Sequence, residues 1–213
     1  MNTPPLLIIG AGGHARVLLD IILEHSMTML GIVDVNPALI GQEIFGVPVI
    51  GQDDLVSGYS PDALRLVNAV GSVGSMLIRK GVYWKFKELG FSFQTIVHRS
   101  ATIGKEVILA EGVQVMAGAI IQAGAQLGCN TLINTAATVD HDCRIGDHVH
   151  IAPGATLSGN IVVGDGTHIG TGANIIQGLK IGRDVIVGAG AVVVDNLPDG
   201  VTAVGVPARV SQR

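Results

Sequence analysis

Ile133-Asn134-Thr135-Ala136-Ala137-Thr138-Val139-Asp140-His141-Asp142-Cys143-Arg144-Ile145-Gly146-Asp147-His148-Val149-His150 falls into three units of six residues. Each unit opens on an aliphatic side chain and carries a small or β-branched residue four places later. Followed in both directions, the beat runs unbroken from Val97 to Val192, and the openers from Val97 and Ile103 to Ile181 and Val187 are all Ile, Leu or Val. The second column, with Ala101, Ala119, Ala125, Thr131, Ala137, Cys143, Ala155, Thr167 and Ala191, is expected to fill tight corners. Gly follows the opener at Gly104, Gly128, Gly146, Gly164, Gly170, Gly182 and Gly188. A hexad repeat of this kind predicts a parallel β-helix, each hexad supplying one short strand and one turn. Three hexads make a triangular coil, so residues eighteen apart should stack at about 4.8 Å, the spacing of neighbouring strands. Stacking about five such coils buries an aliphatic column that no single repeat could bury alone. A β-sandwich would instead need polar alternation and irregular loops.

Residues ahead of the repeat read differently. An apolar strand, Pro5 to Ile9, runs into Gly10-Ala11-Gly12-Gly13-His14-Ala15, and apolar residues then recur at helical spacing from Ala15 to His25. A second strand, Met29 to Val33, ends in Asp34; a third is predicted from Leu64 to Val70, closing at Gly71, with a helix from Gly74 to Leu89. Alternating strands and helices indicate a small parallel sheet with helices on its faces. Gly10-x-Gly12-x-x-Ala15 satisfies a dinucleotide fingerprint at a helix N-terminus, and Asp34 ends the next strand where a carboxylate can meet a ribose hydroxyl or a base. The alternative is that the glycines only tighten the turn. The segment has room for one mononucleotide half, so a nucleoside diphosphate sugar fits better than NAD. The expected division is therefore a Rossmann-like, nucleotide-sugar-binding domain over 1–95 and a β-helix with a C-terminal tail over 96–213.

Composition excludes several classes. The chain of 213 residues carries a net charge of −4, so no basic face invites nucleic acid. Apolar runs such as Val17 to Leu23 are too short to span a bilayer, and no charged segment followed by an apolar one suggests a signal peptide. Cys129 and Cys143 form no C-x-x-C pair, and Cys143 falls in the inward column as a buried thiol. A reducing cytoplasm is the expected compartment.

Within the repeat, polar residues gather between Asn134 and His168. His141 is third in its hexad, off the inward columns, and Asp142 follows it. A carboxylate beside an imidazole fixes its tautomer and stabilises the imidazolium formed on proton uptake; the bland reading is a surface histidine next to a surface acid. His150 and His168 are eighteen apart, which places them in one column on successive coils. Two stacked imidazoles disfavour each other's protonation, so at least one should be neutral and able to donate a hydrogen bond to a carbonyl.

The Gly12 to His14 turn, the strand ending in Asp34, Asn134 followed by His141-Asp142 and then His150, and the closing Gly205-Val206-Pro207-Ala208-Arg209 together resemble the hexapeptide-repeat sugar acetyltransferases of bacterial glycan synthesis. That group includes the bacillosamine N-acetyltransferases and the sialic acid O-acetyltransferases. The resemblance runs over nearly the whole chain and implies a left-handed β-helix, against the usual right-handed crossover. It implies that His141 is the general base and Asp142 the acid that raises its basicity. It places acetyl-CoA against His150, Thr171, Ala189 and Asn134, and a UDP-amino sugar against Gly12, Gly13, His14, Asp34, Val35 and Gly71. It also implies a homotrimer with sites between neighbouring coils, and no metal. The chain departs from the family pattern at three points: Asp142 stands where a glutamate is common, Val35 where a second acid is, and Ser72 where an asparagine is.

The implied reaction is direct attack of a sugar 4-amino group on the acetyl carbonyl, with no acyl-enzyme, since no serine or cysteine has an evident base beside it. O-acetylation of a sugar hydroxyl would use the same residues. A zinc lyase on the same scaffold would need His141, His150 and His168 as ligands, and an inactive scaffold would gain no melting temperature from acetyl-CoA.

Overall fold

The computed structural model describes residues 4–72 and 76–211. Two compact units divide at Ile96 and Val97. In the first, β1 (Leu6–Ile9), β2 (Met29–Val33), β4 (Val47–Gly51) and β5 (Arg65–Asn68) run parallel, and β3 (Glu43–Ile44) pairs antiparallel with β4. The spatial order is β3-β4-β2-β1-β5. All four residues of β1 are buried, as a central parallel strand covered on both faces requires. Helix α1 (Gly13–Glu24) seats Ala15, Leu18, Leu19, Ile21 and Ile22 in the core, the i, i+3, i+4 spacing of one apolar face. The β3–β4 hairpin gave no recognised signal in the sequence.

The last parallel strand is shorter than its apolar run. Asn68 ends it by taking main-chain partners for itself: its Oδ1 accepts from Val70 N at 3.2 Å and its Nδ2 donates to Arg79 O at 2.9 Å. The Arg79 guanidinium, fully buried, donates to Asn68 O at 2.8 Å and Val70 O at 3.0 Å. Burial lowers its pKa to about 9. Arg79 lies in α2, Leu77–Glu88; the expected helix start at Gly74 lies outside the described residues.

The second unit is a parallel β-helix of two-residue strands. Its first face stacks Gln114–Val115, Leu132–Ile133, His150–Ile151, His168–Ile169 and Ile186–Val187. The second stacks Thr102–Ile103, Ile120–Ile121, Thr138–Val139, Thr156–Leu157, Asn174–Ile175 and Val192–Val193, and the third runs from Ile108–Leu109 through Arg144–Ile145 to Lys180–Ile181. Pairing is at a register of eighteen throughout these stacks, with Ile133 opposite Ile151 and His150 opposite His168. Apart from the exposed Ile103 and the half-buried Leu109 of the first coil, the second residue of each strand in these stacks is buried and forms the continuous core.

The three corners are filled differently from one uniform small column. One is alanine throughout, at Ala101, Ala119, Ala137, Ala155, Ala173 and Ala191, while another alternates Val113, Thr131, Val149, Thr167 and Val185. The third mixes Ala125 and Cys143 with Ile161 and Leu179, so bulk is traded between levels to keep the interior filled. The buried threonines are satisfied within the stack. Thr131 Oγ1 donates to Gly146 O at 2.8 Å and accepts from Val149 N at 3.1 Å, and Thr167 repeats the pattern with Gly182 O and Val185 N. Cys143 is buried, which raises its thiol pKa. The chain closes with Thr202–Val204 against Arg209–Val210, an antiparallel pair on the end of the first face.

Candidate active site

His141 and Asp142 occupy the turn between Thr138–Val139 of the second face and Arg144–Ile145 of the third. The coil holds their main chain from both sides: Asp142 N donates to Ala123 O below at 3.0 Å, and Asn160 N above donates to His141 O at 2.8 Å. Asp142 has φ 58°, a left-handed conformation that Asp tolerates better than most residues. Its Oδ2 lies 2.9 Å from His141 Nδ1, while Asp140 Oδ1 accepts from His141 N at 2.7 Å. With Nδ1 donating to the carboxylate, Nε2 is left as the proton acceptor. The hydrogen bond to Asp142 raises the pKa of the imidazole above its ordinary value, and the charge of Asp140 adds to this. Both side chains are exposed.

His150 stands on the first face and is buried. Asn134 Nδ2 lies 3.1 Å from His150 Nε2, and Asn134 Oδ1 accepts from Thr135 N at 2.8 Å. The Thr135 amide therefore fixes which end of the Asn134 amide faces the histidine. Nε2 must accept, and the neutral ring carries its proton on Nδ1. The rings of His150 and His168 meet edge to face, with centroids 4.7 Å apart and planes at 78°. Burial lowers the pKa of His168 below its ordinary value.

Thr171 and Ala189 share the corner between the first and second faces that Asn134 begins. Gly190 N donates to Thr171 O at 2.8 Å, tying the two levels together, and both residues are exposed. Asn134, Thr171 and Ala189 thus line one edge of the prism, with His150 on the adjoining face. His141 and Asp142 lie on another edge, so a single chain does not bring the two sets together. Among the described residues no group of three or more His, Cys, Asp or Glu converges as a metal site.

In the front unit a cavity of 260 Å³ opens at the carboxyl ends of the strands, lined by Gly10, Gly12, Asp34, Val35, Asp53 and Gly71 among others. Gly13 and His14 start α1 beside it. The chain crosses from one side of β1 to the other here, as ligand crevices of open α/β sheets require. Both Asp34 oxygens accept main-chain hydrogens, Oδ2 from Ala11 N at 2.7 Å and Oδ1 from Asn36 N at 2.8 Å. The carboxylate therefore braces the glycine turn, a role that its position in the sequence had not disclosed; the lone pairs left over remain able to accept. Gly10 is needed by the chain itself, since its φ is +102° and a Cβ would stand 3.2 Å from Ala69 C. Gly12 and Gly13 have nothing within 4 Å of where a Cβ would sit.

Residues 5–86 match the family model of the PglD N-terminal domain, and residues 124–159 match that of the bacterial transferase hexapeptide, six repeats. The H141N mutant of perosamine N-acetyltransferase from Caulobacter crescentus, in complex with CoA and GDP-perosamine, is 40% identical with a TM-score of 0.91, over 98% of this chain and 97% of that one. The acetyltransferase domain of PglB from Neisseria gonorrhoeae, in complex with acetyl coenzyme A, is 40% identical with a TM-score of 0.89, over 98% of this chain and 100% of that one. WeeI from Acinetobacter baumannii aligns over the same shares at 29% identity and a TM-score of 0.87. With identity of this order sustained through both units, the chain belongs to the family of hexapeptide-repeat, acetyl-CoA-dependent sugar N-acetyltransferases.

Proposed function

We propose that the acceptor is the 4-amino group of a nucleotide-linked 4-amino-4,6-dideoxy sugar and that His141 is the general base. The observation that carries this reading is the 2.9 Å contact between His141 Nδ1 and Asp142 Oδ2, which leaves Nε2 as an acceptor of raised basicity. The neutral amine attacks the acetyl carbonyl, His141 Nε2 takes the ammonium proton as it acidifies, and collapse of the tetrahedral intermediate expels CoA as its thiolate. His150, with its proton on Nδ1, is the candidate donor to the developing oxyanion. The Caulobacter relative supports this assignment, because a histidine is the residue replaced in its H141N and H141A complexes with CoA and GDP-perosamine.

Acetyl-CoA lies along the edge of Asn134, Thr171 and Ala189 in this reading, and a homotrimer supplies that edge from the copy next to His141. The open space beside Gly12 and Gly13 suits close approach of a diphosphate at the start of α1. UDP is the nucleotide expected from the motif resemblance; the GDP-perosamine held by the Caulobacter relative makes GDP the second candidate. Among the described residues no helix is long and apolar enough to cross a membrane, and the co-substrates support action in the cytoplasm.

The test is CoA thiol release from acetyl-CoA with UDP- and GDP-linked 4-amino-4,6-dideoxy sugars, using native protein and His141→Ala. Release with either sugar, reduced about 10²- to 10⁴-fold by the substitution, is the expected result. Release that survives His141→Ala would remove the base from the mechanism. Turnover of hydroxyl sugars alone would remove the amine acceptor.

A further inference from the structure

We propose that Gly159 is a positioning residue for the base: the absence of a side chain there forms the shelf on which the His141 imidazole lies. The inference rests on the reading of His141 as base. Gly159 stands eighteen residues after His141, in the turn of the next coil. A Cβ built on it would lie 2.5 Å from His141 Nε2, 2.6 Å from Cε1 and 3.0 Å from Cδ2. These are its three nearest heavy atoms, so what a methyl group would meet is the imidazole edge that carries Nε2.

The backbone does not itself demand glycine at this position. Gly159 is not in the left-handed region, whereas its neighbour Asn160 is, at φ 55°. An alanine is therefore accommodated by the main chain and excluded by the ring. Two restraints then define the imidazole: the carboxylate of Asp142 holds Nδ1 from the same turn, and the bare Cα of Gly159 allows the opposite edge to settle against the next coil. The level below has a matching feature. A Cβ on Gly124, eighteen residues before Asp142, would stand 2.8 Å from Asp142 Oδ1, but the φ of +75° at Gly124 confounds any substitution there. Asp140 and Asp142 are the ionisable groups facing the ring from its own turn. The turns packed below and above, Gln122 to Ala125 and Ser158 to Ile161, contain none.

A methyl at 159 must swing the imidazole away, which lengthens the contact with Asp142 and moves Nε2. In Gly159→Ala we expect kcat to fall about 10- to 100-fold, as a displacement of about 1 Å can cause, with the KM for acetyl-CoA unchanged. The acid limb of the kcat/KM profile, and the NMR titration of the His141 ring, should both move to lower pH. Native kcat and an unmoved His141 titration in Gly159→Ala would overturn the proposal. Should Gly159→Ala fold poorly, the double variant Gly159→Ala/His141→Ala removes the ring that the methyl meets. Recovery of the melting temperature to that of His141→Ala supports the shelf, and no recovery overturns it. Failure of the base assignment is distinguished separately: activity then survives His141→Ala while the NMR shift in Gly159→Ala still appears.

Discussion

Two sets of glycines, one in each unit, serve opposite purposes. In the β-helix, a Cβ on Gly170 would stand 2.6 Å from both Ala189 N and Val187 O and 2.7 Å from Gly188 C, so the main chain of the next coil occupies the space. At Gly12 and Gly13 in the front unit nothing of the chain lies within 4 Å. The glycines that follow the hexad openers serve the coil's own stacking, whereas Gly12 and Gly13 lie beside an opening. The same residue type is thus read in one place as packing and in the other as room for a ligand.

The comparison can be broken most forcefully at Gly170. Gly170→Ala pushes a methyl into backbone that cannot yield without disturbing the next coil, and we expect a loss of about 3 kcal/mol, read from denaturant unfolding. A native midpoint would mean that the coils slide past one another more freely than their hydrogen bonds suggest. Next in size is Thr131→Val, which keeps the shape of the alternating corner but strands Gly146 O and Val149 N. The expected cost is about 2 kcal/mol, with catalysis unaffected.

Asp142→Asn leaves stability nearly unchanged, because both partners are exposed and Asn also tolerates the left-handed turn. Its effect is on His141, the proposed base. Asp142 raises the His141 pKa, so removing the negative charge lowers it, and the acid limb of kcat/KM moves to lower pH. kcat should fall about ten-fold as the ring loses basicity. An acid limb that moves upward would show that Asp142 does not act through His141. The smallest change in stability is expected for Gly13→Ala, within about 0.5 kcal/mol of native. If the opening receives a diphosphate, the KM for the nucleotide sugar rises about ten-fold while that for acetyl-CoA stays put.

How much of this was legible beforehand follows the same division. Stacking in the β-helix is set by main-chain hydrogen bonds at a constant register, so counting eighteen was enough to place His150 beside His168 and Thr171 a level below Ala189. The same count applied to His141 reaches Gly159, but a glycine carries no chemical label, and that contact appears only when the direction of the ring is known. The corners resisted for another reason. Interior volume is shared among three columns, so Ile161 or Leu179 can stand where a small residue was expected. In the front unit strand ends are decided by side chains competing for main-chain partners. Asn68 stops β5 short of Val70, and Asp34 turns both oxygens onto amides that no periodicity reveals.

The placement of His141 and Asp142 on one edge of the prism, and of Asn134 on another with His150 on the face adjoining it, has a genetic consequence in the proposed trimer. His141→Ala and His150→Ala chains, each inactive alone, would complement each other when unfolded together and refolded as a mixture. Random assortment pairs an intact edge of one kind with an intact edge of the other at about a quarter of the interfaces. Two silent alleles in one cell would then restore the product that neither makes by itself.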